Sequence, residues 1–494
     1  MQRREFMQLL GLAGTGLLLP GVGTHARAGG TTMPDWHVGF RNPPARELHT
    51  RTLRMEGRLP KDLAGTFYRN GPARHELGDR RYSHWFDGDG MVHAYHFHDG
   101  RIRHHARFVK TPKYTQETCA NAFHRPAFGT VFADAEPVAH ADAMNAANIN
   151  VLPFADRLLA LWEGGSAWDL DPQTLATGDR VAWSEEMAGA PFSAHPAVDV
   201  DGTLWNFGLV PGAGKLVLYE IAPSGKLRRA EALDLDASPM VHDFAITHRH
   251  LVFLLPPFRL DPERFGEGKS FVDSHRWYGD EPMGVLVIDK RDWSRRRWFE
   301  LPAGFHFHIG NAWEDGSGVI RFDYTRYDNA DFVTRAARGL MRGEDVPYAG
   351  GHTALVRLDL RSGGIDQSVL SEQTEFPRVD PRRTGMRYRH LYTTVRTDAA
   401  AHPLSNGILR RDVESGTTEQ YDFGPGVISE EHVFVPVTRG KDSGWLIGTA
   451  LDVERRESLL SVFRADALAD GPVAQGRLPY PVPLGFHGNW RSAG

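Results

Sequence analysis

The sequence predicts an all-β fold made of many short strands, and three observations support this class. Runs rich in Val, Leu, Ile and aromatic residues recur between residues 158 and 463, each with the length typical of a strand, about four to eight residues. Polar steps such as Asp-Gly and Ser-Gly separate the runs, as tight hairpins require. Long amphipathic helices do not alternate with the runs, which argues against a doubly wound parallel sheet.

The predicted strands share apolar or alternating patterns and end at polar turns. Examples lie at Leu158–Trp162, Thr203–Leu209, Lys215–Ile221, Leu251–Leu255, Gly284–Ile288, Val319–Tyr324, Ala354–Leu358, Leu391–Val395, Val433–Val437, Trp445–Leu451 and Leu459–Phe463. The turn steps that supply backbone with positive φ are Asp99-Gly100, Asp201-Gly202, Ser224-Gly225, Ser362-Gly363 and Ser415-Gly416. Alternation in the hairpin Tyr95–Arg107 predicts that several of its clustered histidines share a solvated face.

A weak recurrence among these strands favours a β-propeller. Val285–Asp289, Leu355–Asp359 and Ile408–Asp412 each end in an aspartate and lead into a polar turn. Units that recur every few tens of residues are typical of propeller blades, whose inner strands all face one axis. A β-sandwich with a long insertion is the alternative on pattern alone.

The N-terminal segment 1–28 has the features of an export signal of the twin-arginine type. Arg3 and Arg4 precede an apolar stretch, Leu9–Val22, and Ala26-Arg27-Ala28 offers a cleavage site. The stretch is too short and too glycine-rich to span a bilayer about 30 Å thick. We therefore expect an exported, periplasmic protein, either soluble or associated with a membrane.

Composition sets further limits on function. Hydrophobic residues make up 41% of the chain and charged residues 24%, which is typical of a globular protein. The net charge of -5, with both signs interspersed, argues against nucleic-acid binding. The single cysteine, Cys119, excludes an internal disulfide and is expected to be a buried apolar residue.

Four histidines stand out by their surroundings, because each lies within three residues of a phenylalanine and apart from charged runs. They are His195, His242, His308 and His487, beside Phe192, Phe244, Phe307 and Phe486 respectively. Spacings of 47, 66 and 179 residues mean that only a closed fold can bring them together. Burial keeps an imidazole neutral, and neutral imidazole is the form that binds transition metals.

A metal-bound imidazole also needs an acceptor for its second nitrogen, commonly a carboxylate. Glu163, Glu375 and Glu431 lie in otherwise apolar segments and are candidates for this role. From the residues alone, the four-histidine metal site and its three supporting glutamates are a hypothesis.

With these segments identified, the chain resembles the carotenoid cleavage oxygenase family over nearly all of its mature length. The motifs that carry the resemblance are Gly-Thr-Phe-Tyr-Arg-Asn-Gly-Pro at 65–72, His-Trp-Phe-Asp-Gly-Asp-Gly-Met-Val-His at 84–93, Leu-Ala-Leu-Trp-Glu-Gly-Gly at 159–165, Phe-His-Ile-Gly-Asn-Ala-Trp-Glu at 307–314, Glu-Phe-Pro-Arg-Val-Asp-Pro-Arg at 375–382 and Val-Pro-Leu-Gly-Phe-His-Gly-Asn-Trp at 482–490. The resemblance implies that residues 29–494 form one seven-bladed β-propeller with a loop-and-helix cap over the active-site face.

The resemblance also implies one Fe(II) per chain and assigns roles to the candidate residues. His195, His242, His308 and His487 match the family's iron ligands. Glu163, Glu375 and Glu431 match its supporting carboxylates, paired with His242, His308 and His487 in that order. The turn at 430–432 reads Glu-Glu-His where the family often has Gly-Glu-Pro, so Glu430 competes with Glu431; counting back from Phe434 favours Glu431.

The implied activity is that of a non-heme Fe(II)-dependent dioxygenase, which uses O₂ to cleave a carbon–carbon double bond into two carbonyl products. No protein nucleophile or general acid is expected, because iron and O₂ carry the reaction. The implied substrate is an apolar polyene, a carotenoid or apocarotenoid. It would occupy a tunnel lined by Trp162, Phe307 and Phe486, with Ile149 where many members place a threonine.

Two alternatives remain at this stage. Relatives that cleave stilbenes commonly have a lysine directly before the first supporting glutamate, and Trp162 in that position favours a polyene over a stilbene. A non-catalytic periplasmic binding propeller is disfavoured by the intact histidine set. We further expect a monomer whose cap contacts a membrane through the segments Ala122–Phe132 and Leu254–Phe258.

Overall fold

The computed structural model describes residues 33–437 and 443–493, so the predicted export signal at 1–28 lies outside the described residues. The described chain forms antiparallel sheets that correspond to seven blades. Two sheets have five strands, three have four, and one seven-stranded sheet divides into two blades. The seven-bladed β-propeller is therefore confirmed.

The strands are numbered in chain order and given for each blade from the inner edge outwards. Blade 1 contains β33 (Gly488–Ser492), β3 (Gly65–Arg74), β6 (Asp89–His98), β7 (Arg101–Phe108) and β1 (Glu47–Thr50). Blade 2 contains β8 (Asn150–Phe154), β9 (Arg157–Leu161), β10 (Trp168–Leu170) and β11 (Thr177–Arg180). Blade 3 contains β12 (Ala197–Val198), β13 (Leu204–Val210), β14 (Lys215–Ile221) and β15 (Leu227–Asp234). Blade 4 contains β16 (Phe244–Ile246), β17 (His250–Leu255), β20 (Met283–Asp289) and β21 (Arg296–Leu301).

The remaining three blades complete the ring. Blade 5 contains β22 (Phe305–Glu314), β23 (Val319–Tyr327), β24 (His352–Asp359) and the first part of β25 (Ile365–Arg378). Blade 6 contains the second part of β25, β26 (His390–Val395), β27 (Gly407–Asp412) and β28 (Thr418–Asp422). Blade 7 contains β29 (Val427–Pro436), β30 (Gly444–Asp452), β31 (Glu457–Arg464), β32 (Pro472–Arg477) and β2 (Arg54–Gly57). Two small hairpins, β4 (Glu76–Leu77) with β5 (Arg80–Arg81) and β18 (Phe258–Leu260) with β19 (His275–Trp277), lie outside the blades.

The inner strands contact one another in a closed ring. Strand contacts join β33 to β8, β12 to β16, β16 to β22, β22 to β25, β25 to β29 and β29 to β33. The Asn150 side chain on β8 closes the remaining step by donating to the Ala194 carbonyl before β12, at 2.8 Å. Two pairings between N-terminal and C-terminal strands hold the ring closed. Strand β33 pairs with β3 in blade 1, and β2 pairs with β32 in blade 7. Side chains from different blades can therefore meet on one axis.

The predicted repeat is confirmed at the level of single side chains. Asp289, Asp359 and Asp412 each end the third strand of blades 4, 5 and 6. Each carboxylate accepts a hydrogen bond from the backbone N–H two residues on, at 2.8, 2.8 and 3.0 Å. Asp171 makes the same contact after the third strand of blade 2, at 3.0 Å. The predicted glycine turns are likewise confirmed, with φ between 68° and 82°.

Short helices and turns join the strands and supply the cap. The helices are α1 (Pro112–Ala120), α2 (Pro262–Gly266) and α3 (Ala337–Arg342), the last preceded by a π-helical turn at Phe332–Ala336. The 3₁₀ turns are Asp35–Phe40, Trp85–Asp87, Ala141–Met144, Glu185–Met187, Pro211–Ala213, Val272–Ser274, Pro381–Arg383 and Leu468–Asp470. None of the helices in residues 33–437 and 443–493 is long and apolar enough to cross a bilayer.

A buried ionic network ties the cap to blade 1. Lys113 on α1 is fully buried and donates to Asp89 at 2.9 Å, to Glu117 at 3.1 Å and to the Tyr82 hydroxyl at 2.8 Å. Arg74 on β3 donates to the same Asp89 at 2.8 Å. Buried charges are tolerated only when paired in this way, so the network fixes α1 against the blade.

Three expectations about individual segments are wrong. Cys119 is exposed, because α1 turns Lys113, Tyr114 and Glu117 inward and leaves Cys119 on the opposite face. In the hairpin, His93 and His104 are buried and face each other, with ring nitrogens 3.1 Å apart. The segment Leu254–Phe258 is buried in the core and presents no apolar surface to a membrane.

Candidate metal centre

Each blade contributes one of the seven predicted site residues to the centre of the ring. Four of them, the histidines, lie on or just before the inner strands β12, β16, β22 and β33. Two glutamates lie on the inner parts of β25 and β29, and the third follows β9 in blade 2. The set in order of blades 1 to 7 is His487, Glu163, His195, His242, His308, Glu375 and Glu431.

The structure brings the four histidines together. One ring nitrogen from each lies within 4.8 Å of those of the other three. The ring centroids of His195 are 4.4, 5.2 and 4.6 Å from those of His242, His308 and His487. Four nitrogen donors facing one point are suited to a transition metal rather than to calcium or magnesium, which prefer oxygen.

Three of these imidazoles are held by the predicted glutamates through Nδ1. His308 Nδ1 lies 2.5 Å from Glu375, and His487 Nδ1 lies 2.9 Å from Glu431. Glu163 contacts Nδ1 of His242. Because a carboxylate accepts the Nδ1 proton, Nε2 of each ring is left as the free lone pair that a metal requires.

The neighbouring glutamates of β29 have separate roles. Glu431 contacts His487 and also accepts from Arg378 Nε at 2.8 Å. Glu430 instead pairs with the buried Arg69 and accepts from the backbone N–H of Gly485 at 2.8 Å. The choice of Glu431 over Glu430 therefore agrees with the geometry.

Burial and neighbouring charge divide the histidines by pKa. Burial, followed by the adjacent imidazoles, lowers the pKa of His195 well below its usual value. Burial likewise lowers the pKa of His487 to about 4, although Glu431 opposes this. At His308 burial also disfavours the charged ring, but the Glu375 carboxylate outweighs it and raises the pKa. A bound metal would displace a proton from that ring, as metal binding to histidine generally does.

Two buried ring nitrogens without hydrogen-bond partners among the described residues also fit a bound metal. Nε2 of His195 and Nε2 of His308 are both buried, and neither has a hydrogen-bond partner among the described residues. Leaving buried polar nitrogens without partners costs free energy, which a coordinated ion would recover. Four imidazoles with outlying carboxylates thus form a coherent metal site.

Aromatic side chains line a cavity whose wall also includes His242, His308 and His487. The four predicted tunnel residues, Trp162, Ile149, Phe307 and Phe486, all line it. Most of the residues that line the cavity are apolar, which suits an apolar ligand. Phe307 packs edge-on against His242, with ring centroids 5.2 Å apart, so the apolar wall reaches the metal ligands.

Several site residues were missed by sequence reasoning. Phe86 lies at the middle of the aromatic wall, within 5.7 Å of Phe307 and 5.2 Å of Phe486 by ring centroids. The Tyr327 hydroxyl donates to Glu375 at 2.9 Å, and Arg378 holds Glu431. Phe86 and Arg378 lie within the family motifs, which was the available signal, whereas Tyr327 lies outside them.

A second group with metal-binding residue types lies at the outer edge of blade 1. It consists of Glu47, His49 and His105, and two of the three are exposed. Arg107 Nε lies 2.6 Å from the Glu47 carboxylate and already balances its charge. The central group is therefore the stronger metal centre.

Comparison with known proteins identifies the family. The family model described as Retinal pigment epithelial membrane protein matches residues 42–492. The apocarotenoid-15,15'-oxygenase of Synechocystis sp. is 32% identical over 475 residues, covering 92% of this chain and 96% of that protein. The lignostilbene-alpha,beta-dioxygenase isozyme III of Sphingomonas paucimobilis is 30% identical over 492 residues, covering 92% and 96%.

A solved structure agrees with the sequence comparisons. The crystal structure of the cobalt-substituted Synechocystis enzyme superposes with a TM-score of 0.83 at 30% identity, covering 93% of this chain and 98% of that one. A metal other than the native one has thus been placed in a protein of this fold. The chain belongs to the Retinal pigment epithelial membrane protein family, the family of the carotenoid oxygenases.

Proposed function

We propose that the protein is a non-heme Fe(II)-dependent dioxygenase that cleaves a carbon–carbon double bond of a carotenoid or apocarotenoid. The observation that carries the proposal is the meeting of four histidine nitrogens beside an aromatic cavity, whose wall includes three of these histidines. Its apocarotenoid-cleaving relative from Synechocystis is similar over nearly the whole of both chains. The products would be two carbonyl compounds, each with one oxygen atom from O₂.

Iron would be held by His195, His242, His308 and His487, and would supply the activation of O₂. An all-nitrogen set of neutral donors suits Fe(II), although affinity alone does not distinguish it from neighbouring metals. Glu163, Glu375 and Glu431 orient three of the rings and offset the charge of the ion without occupying its coordination positions. Only His195 has no glutamate of this set as partner.

The other residues of the site position the substrate and exclude water. A rigid polyene is recognised by shape and apolar contact, which Phe86, Phe307 and Phe486 provide. Closely packed aromatic walls keep water away from the reacting carbons and hold one double bond in register with the metal. Ile149 adds an apolar side chain to the same wall.

The deciding experiment is product analysis after anaerobic loading with Fe(II) and addition of ¹⁸O₂. Apocarotenals of several lengths and a resveratrol-type stilbene are compared as substrates, and products are identified by mass spectrometry. We expect paired aldehyde products that carry label from the polyenes and none from the stilbene. Cleavage of the stilbene alone would replace the polyene proposal, since a relative of nearly equal identity is a lignostilbene dioxygenase.

We further propose export by the twin-arginine route, based on Arg3, Arg4 and the apolar stretch that follows them. Because that route carries folded proteins, the metal would be loaded before export. Replacing both arginines with lysine should retain the full-length chain in the cytoplasm, as measured by cell fractionation and immunoblotting. Unchanged periplasmic recovery would refute the proposal.

A monomer suffices for this function, since all seven site residues come from one chain. Of the two cap segments proposed for membrane contact, only Ala122–Phe132 remains, with Phe128 forming part of the cavity wall. Sedimentation without lipid vesicles tests whether the protein is a monomer. Sedimentation with vesicles tests the membrane contact, because binding through this segment should be lost when Phe132 is replaced with Ser.

A further inference from the structure

The cavity changes character along its length. Near the histidines its wall is aromatic, whereas a second part of the wall contains the polar residues Gln373, Arg396 and Tyr348. An arginine is unusual in a cavity built for a hydrocarbon, because burying its charge costs free energy unless a partner is present. This polar end has no role in the metal centre.

The sheet of blade 6 fixes the distance between the two parts. Glu375, which holds His308, is paired in register with Thr394. Two residues along the same strands, the Arg396 N–H donates to the Gln373 carbonyl at 3.0 Å. Alternate residues of a strand face the same side, so Gln373 and Arg396 project with Glu375 towards the cavity. The polar pair therefore lies about 7 Å along the strand from the glutamate that supports the metal ligand.

Arg396 has no carboxylate partner within the described part of the chain. Among residues 33–437 and 443–493 its one side-chain hydrogen bond runs from Nε to the His402 carbonyl at 3.4 Å, and no described residue occupies either terminal nitrogen. The guanidinium gives this half-buried end of the cavity a positive charge. The side chains of Gln373 and Tyr348 likewise have no hydrogen-bond partner among residues 33–437 and 443–493.

The carbonyl that contacts the guanidinium is itself held in place. The His402 carbonyl that accepts from Arg396 belongs to a loop fixed by its own contacts. His402 Nε2 lies 3.1 Å from the Val427 carbonyl, and the Leu404 N–H donates to His402 Nδ1 at 3.3 Å. A side chain oriented in advance loses less conformational entropy when a ligand binds.

Tyr348 adds a neutral donor at the same end. Burial is the main cause that raises the pKa of its hydroxyl to about 12, and the nearby Arg396 partly opposes it. The hydroxyl is therefore protonated at neutral pH and can donate. A guanidinium, a carboxamide and a phenol together offer several donors and one full positive charge to whatever ligand group enters this end.

We propose that Arg396, with Gln373 and Tyr348, binds a carboxylate at the end of the substrate, which makes the preferred substrate a polyene carboxylic acid. The proposal rests on the polyene-cleaving function proposed above and narrows its substrate class. A carboxylate matches the planar fork of arginine with two parallel hydrogen bonds and neutralises its charge, which an aldehyde or hydroxyl group does only in part. Arg396 then sets which double bond reaches the metal by fixing the far end of the chain.

Equilibrium binding to the metal-free protein tests the proposal independently of catalysis. The probes are an apocarotenoic acid, its methyl ester and a saturated fatty acid of equal length, with binding followed by quenching of tryptophan fluorescence. We expect the wild-type protein to bind the acid roughly 10- to 100-fold more tightly than the ester, the range typical of a charged hydrogen-bonded pair. Equal binding of acid and ester would overturn the proposal, and equal binding of the fatty acid would overturn the assignment of the ligand as a polyene.

Three variants locate the effect. Arg396→Met should bind the acid and the ester equally, Arg396→Lys should retain part of the preference, and the exposed Arg357→Met on blade 5 should behave as the wild type. If Arg396→Met weakened both ligands by the same factor, the residue would have only a structural role. Circular dichroism and thermal melting of each variant establish that the fold is retained.

Steady-state kinetics of the iron-loaded enzyme separate this inference from the proposed function. With the acid as substrate, Arg396→Met should raise KM roughly 10- to 100-fold and shift cleavage to neighbouring double bonds, whereas Arg357→Met should keep the KM and the products of the wild type. Absence of polyene cleavage by the wild type, together with acid-selective binding, would refute the cleavage activity and leave the carboxylate site standing. Cleavage without any difference between Arg396→Met and the wild type would refute the carboxylate site alone.

Discussion

His308 Nδ1 lies 2.5 Å from a carboxylate oxygen of Glu375, and the residue next to that glutamate, Phe376, stacks on the same imidazole with ring centroids 5.1 Å apart. Phe376 has φ of 52°, a backbone conformation that bulky residues rarely adopt. Its N–H turns back to the Glu375 carboxylate. The strained residue thus lets two consecutive side chains hold one ring, at the point where β25 passes from blade 5 to blade 6.

Replacing Glu375 with Gln should weaken metal binding without unfolding the protein. The amide keeps the size of the side chain but loses the charge that offsets the ion and orients His308. We expect roughly 10- to 100-fold weaker metal affinity, the usual effect of removing such a partner. Competition with a metal chelator measures it. Glu372→Gln on the same strand, where the carboxylate pairs with Arg411 at 2.7 Å, is the matched control; an equal loss in the control would contradict the role of Glu375.

Replacing His308 with Ala should abolish stoichiometric metal binding, measured by elemental analysis of the purified protein. The variant removes one of four donors and leaves Glu375 without its partner. His306→Leu is a close control, because His306 lies two residues away on β22, is fully buried and has no hydrogen-bond partner for either ring nitrogen among the described residues. An apolar side chain of similar volume is tolerated there at a cost below about 1.5 kcal/mol. Full metal content in His308→Ala would exclude it as a ligand.

Local pattern was enough to predict many of the strands and the repeat, because both depend on nearest neighbours in sequence. The aspartates at 289, 359 and 412 each close a turn within their own blade, and their spacing from the preceding apolar run is visible in the chain. Ring closure was not predictable in this way. The pairing of β33 with β3 joins Phe67 to Trp490, and no local pattern encodes that contact.

The site was predictable in its ligands but only partly in its surroundings. Each histidine could be singled out by an aromatic neighbour, since burial and ligation both require an apolar setting. Tyr327 and Arg396 could not be singled out from the sequence, because their roles depend on which strands pair. A lone tyrosine or arginine in a strand resembles many others. The exposure of Cys119 was missed for a related reason, since the buried face of α1 is set by the ionic pairs of Lys113 and Glu117 rather than by apolar residues.

The attachment of the cap loop should depend on pH through Asp87. This buried carboxylate accepts from the Gly129 N–H at 2.7 Å and from the Thr130 hydroxyl at 2.5 Å. Burial nevertheless raises its pKa from 3.8 to about 6. Between these values the folded state binds more protons than the unfolded state, so the free energy of unfolding falls as pH rises through this window, by up to about 3 kcal/mol.

Asp87→Asn should remove that part of the pH dependence, since the amide oxygen can accept from Gly129 and the amide nitrogen can donate to Thr130 at any pH. Urea denaturation of the wild type and the variant at pH 4 and pH 7 gives the difference directly. The wild type should lose more stability than the variant between the two values. A pH dependence identical in both proteins would show that Asp87 keeps its ordinary pKa in the fold.

Phe307 should control where the substrate is cut. Its ring lies edge-on to His242 and contacts Phe86 in the aromatic wall, so it limits how far a polyene slides past the metal. Shortening the side chain in Phe307→Leu should lower kcat/KM and distribute cleavage over adjacent double bonds, because register depends on close apolar contact. Phe299→Leu, a buried change in the outer strand β21 of blade 4, controls for general loosening of the core. Chromatography and mass spectrometry of the aldehyde products measure the distribution. A single unchanged product pair in Phe307→Leu would mean that register is fixed elsewhere in the cavity.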